Sequence, residues 1–302
     1  KLMNKGFMGY SKFTKSDSSS LNNFSIYNRT SDSYTKLLIH GEETFYSDTY
    51  ANQYFYDSSP AMRAVIRSGT QALPVTSQYK FGTGSIYFAS NSFLSISDND
   101  DFNFGSGDFT VDTWVRFASV AVSGQGQAIY AQYGVTTPAS NQLYLVASGN
   151  PISGITFRVV SGGVNIINLA FSTWTPVINT WYHVAFVKSG TSYMAFVNGT
   201  QIGSTLSDVD AIPDFNGQVS IGARFIGTGY TYDSVLNGYI DEFRVSKGIA
   251  RWTTAFTPPT SAYSDPADVS ILSSTDSNDP SEKGLLKLGD STGGTMLQGK
   301  NI

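Results

Sequence analysis

From residue 37 to residue 263 the chain runs as short apolar segments separated by Gly, Ser, Asn and Asp. Runs of four to nine residues at this spacing predict the strands of a β-sandwich. The expected strands are 37–40, 85–89, 93–97, 109–117, 128–132, 142–147, 154–160 and 164–169, followed by 181–188, 193–197, 201–204, 219–222 and 239–245. The segment FTVDTWVRF shows the period most clearly. Phe109, Val111, Val115 and Phe117 fall on one side, and Thr110, Asp112, Trp114 and Arg116 on the other. A period of two with one apolar side is the mark of a strand that puts one face on a core. Asn198-Gly199 stands between two such runs. That pair favours the positive φ values of a type I′ turn and so predicts a hairpin. No long amphipathic helical pattern occurs, and the one helical candidate is a turn around 248–252, before Pro258-Pro259. The predicted class is all-β, with two antiparallel sheets packed as a sandwich.

The pattern weakens at both ends. Residues 1–36 are rich in Ser, Asn, Lys and Tyr and are expected to form an N-terminal arm. Residues 264–302 are expected to form a linker and C-terminal tail. The linker, 264–282, is polar and interrupted by Pro266 and Pro280, and the Gly-rich 284–302 could add an edge strand or dock on a neighbour. Hydrophobic residues make up 40% of the chain and aromatics 14%, enough to fill a core. Charged residues are only 14%, so the surface must be built largely of Ser, Thr, Asn, Gln, Gly and Tyr. The net charge of −4 leaves no basic stripe to neutralise phosphates, and no nucleic-acid partner is expected. The absence of cysteine excludes disulfides and thiolate metal sites and favours a microbial or viral source. No apolar run approaches the roughly 20 residues that span a bilayer, so no membrane insertion is expected. The opening KLMNKGFMGY lacks the apolar region of a signal peptide, and Asn28-Arg29-Thr30 fits a glycosylation acceptor.

A set of phrases occurs in a characteristic order: LLIHGEE (37–43), FYDSSP (55–60), KFGTGSIYF (80–88), FLSISDNDDFNFGSGDFTVDTWVRF (93–117), NTWYHVAFVKSGTSYMAFVNGTQIGS (179–204), VSIGAR (219–224) and LNGYIDEFRVSKGIARWTTAFTPP (236–259). In this, residues 37–263, about three quarters of the chain, resemble the laminin-G-like domains of the concanavalin-A-like superfamily, in the form found in phage tail and other virion proteins. The resemblance implies a jelly-roll sandwich with a curved concave face and ligand loops along one rim. It implies a non-catalytic protein of the virion surface, such as a tail fibre, spike or head decoration, that attaches to host-surface polysaccharide. Other virion proteins and further copies of the chain are then the expected partners. A coat or connector protein without sugar binding is the alternative, and a secreted or cell-surface microbial protein the alternative location.

The same fold carries glucanases, which hydrolyse with two carboxylates set about 5–5.5 Å apart. The nearest sequence is Asn237-Gly238-Tyr239-Ile240-Asp241-Glu242, where Asp241 and Glu242 are adjacent and on a regular strand would face opposite sides. Only four Glu are present, and no Gly-x-Ser-x-Gly elbow surrounds a serine, so enzyme activity is not expected. His183, inside WYHVAF, reads as a packed or hydrogen-bonded strand residue, and His40 as structural or near a rim ion. A sugar site needs aromatic surface flanked by hydrogen-bonding groups. The loop after VSIGAR offers Arg224, Phe225, Tyr230, Tyr232 and Asp233, which the stretch 133–141 and Trp174 could join. In so Tyr-rich a chain these rings equally serve to cover a core or an interface. The resemblance also implies a calcium ion, and Asp57 and Asp241 are the candidate ligands. The competing readings are that Asp57 caps a turn with Ser58 and Ser59, and that Asp241 pairs with Arg244 or a backbone amide.

Overall fold

The structure is a computed structural model. It describes residues 32–41, 54–69, 72–89, 92–122, 124–227 and 231–263, together with the strands Leu285–Lys287 and Met296–Gln298. Two compact units are present. One comprises residues 29–266, and the other 1–28 with 267–302. In the second unit the described residues are two strands paired antiparallel, Leu285 opposite Gln298.

The larger unit contains eighteen strands among its described residues. The first six are β1 (Thr35–Ile39), β2 (Tyr54–Tyr56), β3 (Ala64–Ser68), β4 (Leu73–Val75), β5 (Ser85–Phe88) and β6 (Phe93–Ile96). Then come β7 (Phe109–Phe117), β8 (Gln127–Tyr133), β9 (Gln142–Ser148), β10 (Gly154–Ser161), β11 (Val164–Ser172) and β12 (Trp181–Ser189). The last are β13 (Ser192–Val197), β14 (Thr200–Ser207), β15 (Val219–Ile221), β16 (Arg224–Gly227), β17 (Thr231–Asp233) and β18 (Gly238–Lys247). A first sheet runs β14-β13-β12-β7-β18-β5-β4, and β1 pairs with β18. A second sheet runs β11-β10-β9-β8-β15-β6-β3-β2. Strands β16 and β17 form a separate two-stranded ladder. The pairings are antiparallel.

The core is one contiguous cluster between the two sheets. From the first sheet it takes Phe109, Val111, Val115 and Phe117 of β7, the side expected from the alternation. Phe157 of the second sheet stacks on Phe186 of the first at 4.6 Å between ring centres. Burying each such ring contributes roughly 1.5–3 kcal/mol, so these contacts weigh more than local strand propensity. The Asn-Gly hairpin is present: Asn198 and Gly199 have φ of 47° and 77°, with Val197 opposite Thr200.

Three expectations need correction. Residues 248–252 are not helical. They begin an extended strap, whose Ala250, Trp252 and Phe256 pack on Ala185, Val187, Met194 and Phe196 of the outer face of the first sheet. Burial of that side of the strap wins over local turn formation. The segment WYHVAF, whose aromatic bulk by itself suggests a wholly core-filling strand, does not fill the core as a block. Val184 and Phe186 point inward, whereas Trp181 and His183 lie on the outer side of β12. Strands β2, β3, β4, β16 and β17 were not expected, being three to five residues long and without clean alternation.

Candidate functional site

The hairpin β16–β17 brings four of the sequence-predicted residues together. It lies over the outer face of the second sheet. Phe225 stacks on Tyr133 at 4.2 Å, and Tyr232 on Phe93 at 4.0 Å. Arg224 donates from Nε to Asp233 Oδ1 at 2.8 Å and from Nη2 to Oδ2 at 2.5 Å, the two-pronged geometry that fixes a guanidinium in orientation. The same guanidinium sits 4.6 Å from the centre of the Tyr144 ring. Phe225 is 7% exposed and serves as a packing residue, while Tyr232 and Asp233 remain half-buried. Tyr230 lies outside the described residues. Trp174 is not part of this group: it is 7% exposed, and its ring neighbours are Phe117 and Tyr182. Its place in the core removes it from any sugar-stacking surface.

Around Tyr144 the structure assembles side chains that sequence spacing did not connect. Arg158 of β10 lies 5.7 Å from the centre of the same Tyr144 ring. Its Nε donates to Asn168 Oδ1 at 2.9 Å and its Nη1 to Gln125 Oε1 at 3.0 Å. Arg158 with Asn168 and Gln125, and Arg224 with Asp233, thus form a polar array of hydrogen-bonded groups about the Tyr144 ring, partly open to solvent. Cross-strand register builds it: Arg158 stands opposite Tyr144 on one neighbour and Asn168 on the other. The alternation within each strand was the only signal available beforehand.

A second polar cluster lies beneath the strap. Arg244 donates to both oxygens of Asp112, at 3.0 and 2.9 Å. Tyr263 donates its hydroxyl to Asp112, and His183 Nε2 lies 2.9 Å from that hydroxyl. Burial alone would raise the Asp112 carboxyl; the Arg244 charge and the hydrogen bonds from His183 and Arg244 outweigh it and hold the group well below the usual carboxylate range. His183 therefore has a tyrosine partner and no serine nucleophile, and the cluster clamps the strap.

The two adjacent carboxylates do not alternate as a regular strand requires. A bulge falls between Asp241 and Arg244, where Glu242 has φ of 52°. Two residues therefore separate the core-facing Ile240 from Phe243, so Asp241 and Glu242 are not assigned to opposite faces by simple alternation. Asp241 and Glu242 are still not a hydrolytic pair. Both are fully buried. Asp241 Oδ2 accepts from the backbone N–H of Lys80 and Phe81, at 2.7 and 3.1 Å. Glu242 lies 2.9 Å from His40 Nδ1 and accepts from the Tyr263 N–H at 2.6 Å.

The calcium expectation meets donor sets of the wrong kind. Asp57 Oδ1 accepts from the N–H of Leu38 and Ser59, and Oδ2 from that of Arg63. Asp241 spends one oxygen on the 80–81 backbone. No group of three or more His, Cys, Asp or Glu able to hold a metal occurs among the described residues. Calcium asks for six to eight oxygens, and these two carboxylates do not fit a shared ion. A cavity of about 400 Å³ opens beside Tyr263, but both its arginines are already paired, Arg244 with Asp112 and Arg251 with Asp32.

The sequence model of the concanavalin A-like lectin/glucanases superfamily matches residues 88–252. The chain belongs to this superfamily. No curated protein matches its sequence. Among solved structures, this superfamily member is similar to domain 4 of an extracellular arabinanase of Geobacillus stearothermophilus, solved with arabinotriose. The identity is 14% and the TM-score 0.50, over 72% of this chain and 94% of that one. The binding domain of botulinum neurotoxin serotype D/C gives 14% identity and a TM-score of 0.49, over 72% of this chain and 49% of that domain. The CBM40 of a Ruminococcus gnavus IT-sialidase, solved bound to α2,3-sialyllactose, gives 17% and 0.41, over 49% of this chain and 78% of that one. This lectin-like chain spans about half the length of the neurotoxin binding domains. At such identities the likeness is one of fold.

Proposed function

We propose that the sandwich is a non-catalytic carbohydrate-binding module whose site is the polar array around Tyr144. The observation that carries this reading is the geometry of Arg158, Asn168, Gln125, Arg224 and Asp233. These are planar donors and acceptors paired with one another, carried by two strands, the turn before β8 and a hairpin that also bears half-buried Tyr232. Preorganised groups of this kind bind hydroxyl-rich ligands without the entropy cost of ordering side chains. The Geobacillus domain, solved with arabinotriose, supports sugars as the ligand class. The resemblance of the ordered phrases to phage tail and virion domains supports attachment to a host-surface polysaccharide from a particle. On this reading the unit of residues 1–28 and 267–302 holds the protein to virion partners or further copies of itself.

The test is a glycan array probed with the labelled chain. Binding to a defined set of glycans is expected, and Arg158→Ala or Tyr232→Ala should weaken it about tenfold. Binding by both variants at the parent level, or no retention on any glycan, refutes the site and leaves the connector reading.

A further inference from the structure

The outer face of the first sheet is covered by the strap over only part of its length. Nearer the loops that end β7 and precede β12, four side chains stand in one straight cross-strand register. Trp181 of β12 is opposite Arg116 of β7, Arg116 is opposite Tyr239 of β18, and Tyr239 is opposite Tyr87 of β5. All four alternate with core residues and so point outward. All four are partly exposed. The rings are close: Tyr87 to Tyr239 is 4.9 Å and Trp181 to Tyr239 is 6.4 Å between centres. Arg116 lies 5.1 Å from the Tyr239 ring centre. Among the described residues, none of these four side chains makes a hydrogen bond or ion pair. Arg116 in particular presents its N–H donors with no acceptor, in a protein of net charge −4.

We propose that this row is a second carbohydrate platform, distinct from the Tyr144 array, and that it takes an acidic, uronate-bearing polysaccharide laid across the strands. With strands about 4.8 Å apart, the four side chains span about 14 Å in a line one residue wide. That shape suits a chain of successive flat rings. A stable protein interface needs about 800 Å² per partner around a compact centre, which a single file does not offer. Trp and Tyr faces supply flat amphipathic contact, and their polar tips remain free for hydroxyls. The central guanidinium selects for charge, because it pairs with carboxylates through two parallel hydrogen bonds. The next row along the sheet supports the same sign: Lys80 Nζ lies 4.0 Å from the Trp114 ring centre. The one acidic group of that row, Asp241, is fully buried and turned onto the 80–81 backbone.

The experiment is affinity electrophoresis of the full chain in native gels cast with polygalacturonate, with dextran as the neutral counterpart. Retardation by polygalacturonate and not by dextran is expected, weakening as salt rises. Arg116→Gln and Trp181→Ala should each reduce retardation at least tenfold, while Trp181→Phe, which keeps a ring, should retain most of it. Far-ultraviolet circular dichroism and a cooperative melt like the parent's confirm that the variants are folded. A parent chain that polygalacturonate does not retard, or an Arg116→Gln variant retarded like the parent, overturns the proposal. So does acrylamide quenching that is the same in parent and Trp181→Phe, since the row would then be covered by protein.

Discussion

At the scale of single residues, side chains that look alike in sequence hold unlike positions in the fold. Asp112 and Asp241 are both buried strand carboxylates, yet Asp112 has a guanidinium across the strand and Asp241 has none. Burial pushes the Asp241 carboxyl up to about 7 from 3.8, against the hydrogen bonds from Phe81 and Lys80 that favour its charged form. Its Oδ1 has no hydrogen-bond partner among the described residues. Because the folded pKa exceeds the unfolded one, the native state holds the extra proton between 3.8 and about 7. Stability from this group therefore falls as pH rises through that window, and the loss is complete above it. Asp241→Asn keeps an acceptor for the two N–H groups and removes the titration. Its melting temperature relative to the parent should be higher at pH 8 than at pH 4, by several degrees, at about 2–4 °C per kcal/mol for a domain of this size. Equal differences at the two pH values in thermal melts would contradict the account. Such distinctions were not legible beforehand, since the partner of Asp112 is 132 residues away.

Among elements, the hairpin β13–β14 and the strap depend on one another. Gly199 has φ of 77°, and a Cβ there would lie 1.8 Å from the Phe256 carbonyl oxygen. The Gly199 carbonyl in turn accepts from the Phe256 N–H at 3.0 Å. Gly199→Ala meets both the backbone penalty and the clash, and should destabilise by about 2–4 kcal/mol in urea titration. A turn-only role predicts about 1 kcal/mol, and a value that small would mean that the strap yields easily. The turn itself was readable from Asn-Gly. The start of the strap, 248–252, looks in sequence like a helical turn, because its apolar positions are spaced to meet a sheet surface contributed by β12 and β13, which no local pattern reveals.

Across the whole molecule, the sheets are completed from distant parts of the chain. The strap seals Phe196, Val187 and the Asp112–His183–Tyr263 cluster, all buried. Residues 29–266 expressed alone should melt in one cooperative transition, followed by circular dichroism. A version ending at Lys247 should lose that transition, because it exposes an apolar face and leaves a buried carboxylate without its tyrosine. Cooperative melting of the shorter version would show that the strap is dispensable. Local pattern is enough for the class of fold, most long strands, the Asn-Gly turn and the core side of β7. Those features follow from a two-residue period and from turn chemistry, both local in the chain. That Trp174 is core, that Trp181 faces outward in line with Arg116, Tyr239 and Tyr87, and that Arg158 stands between Tyr144 and Asn168 emerge only when the strands are assembled. Each of these depends on which strands become neighbours and in what register, and that is settled by the joint burial of both sheets.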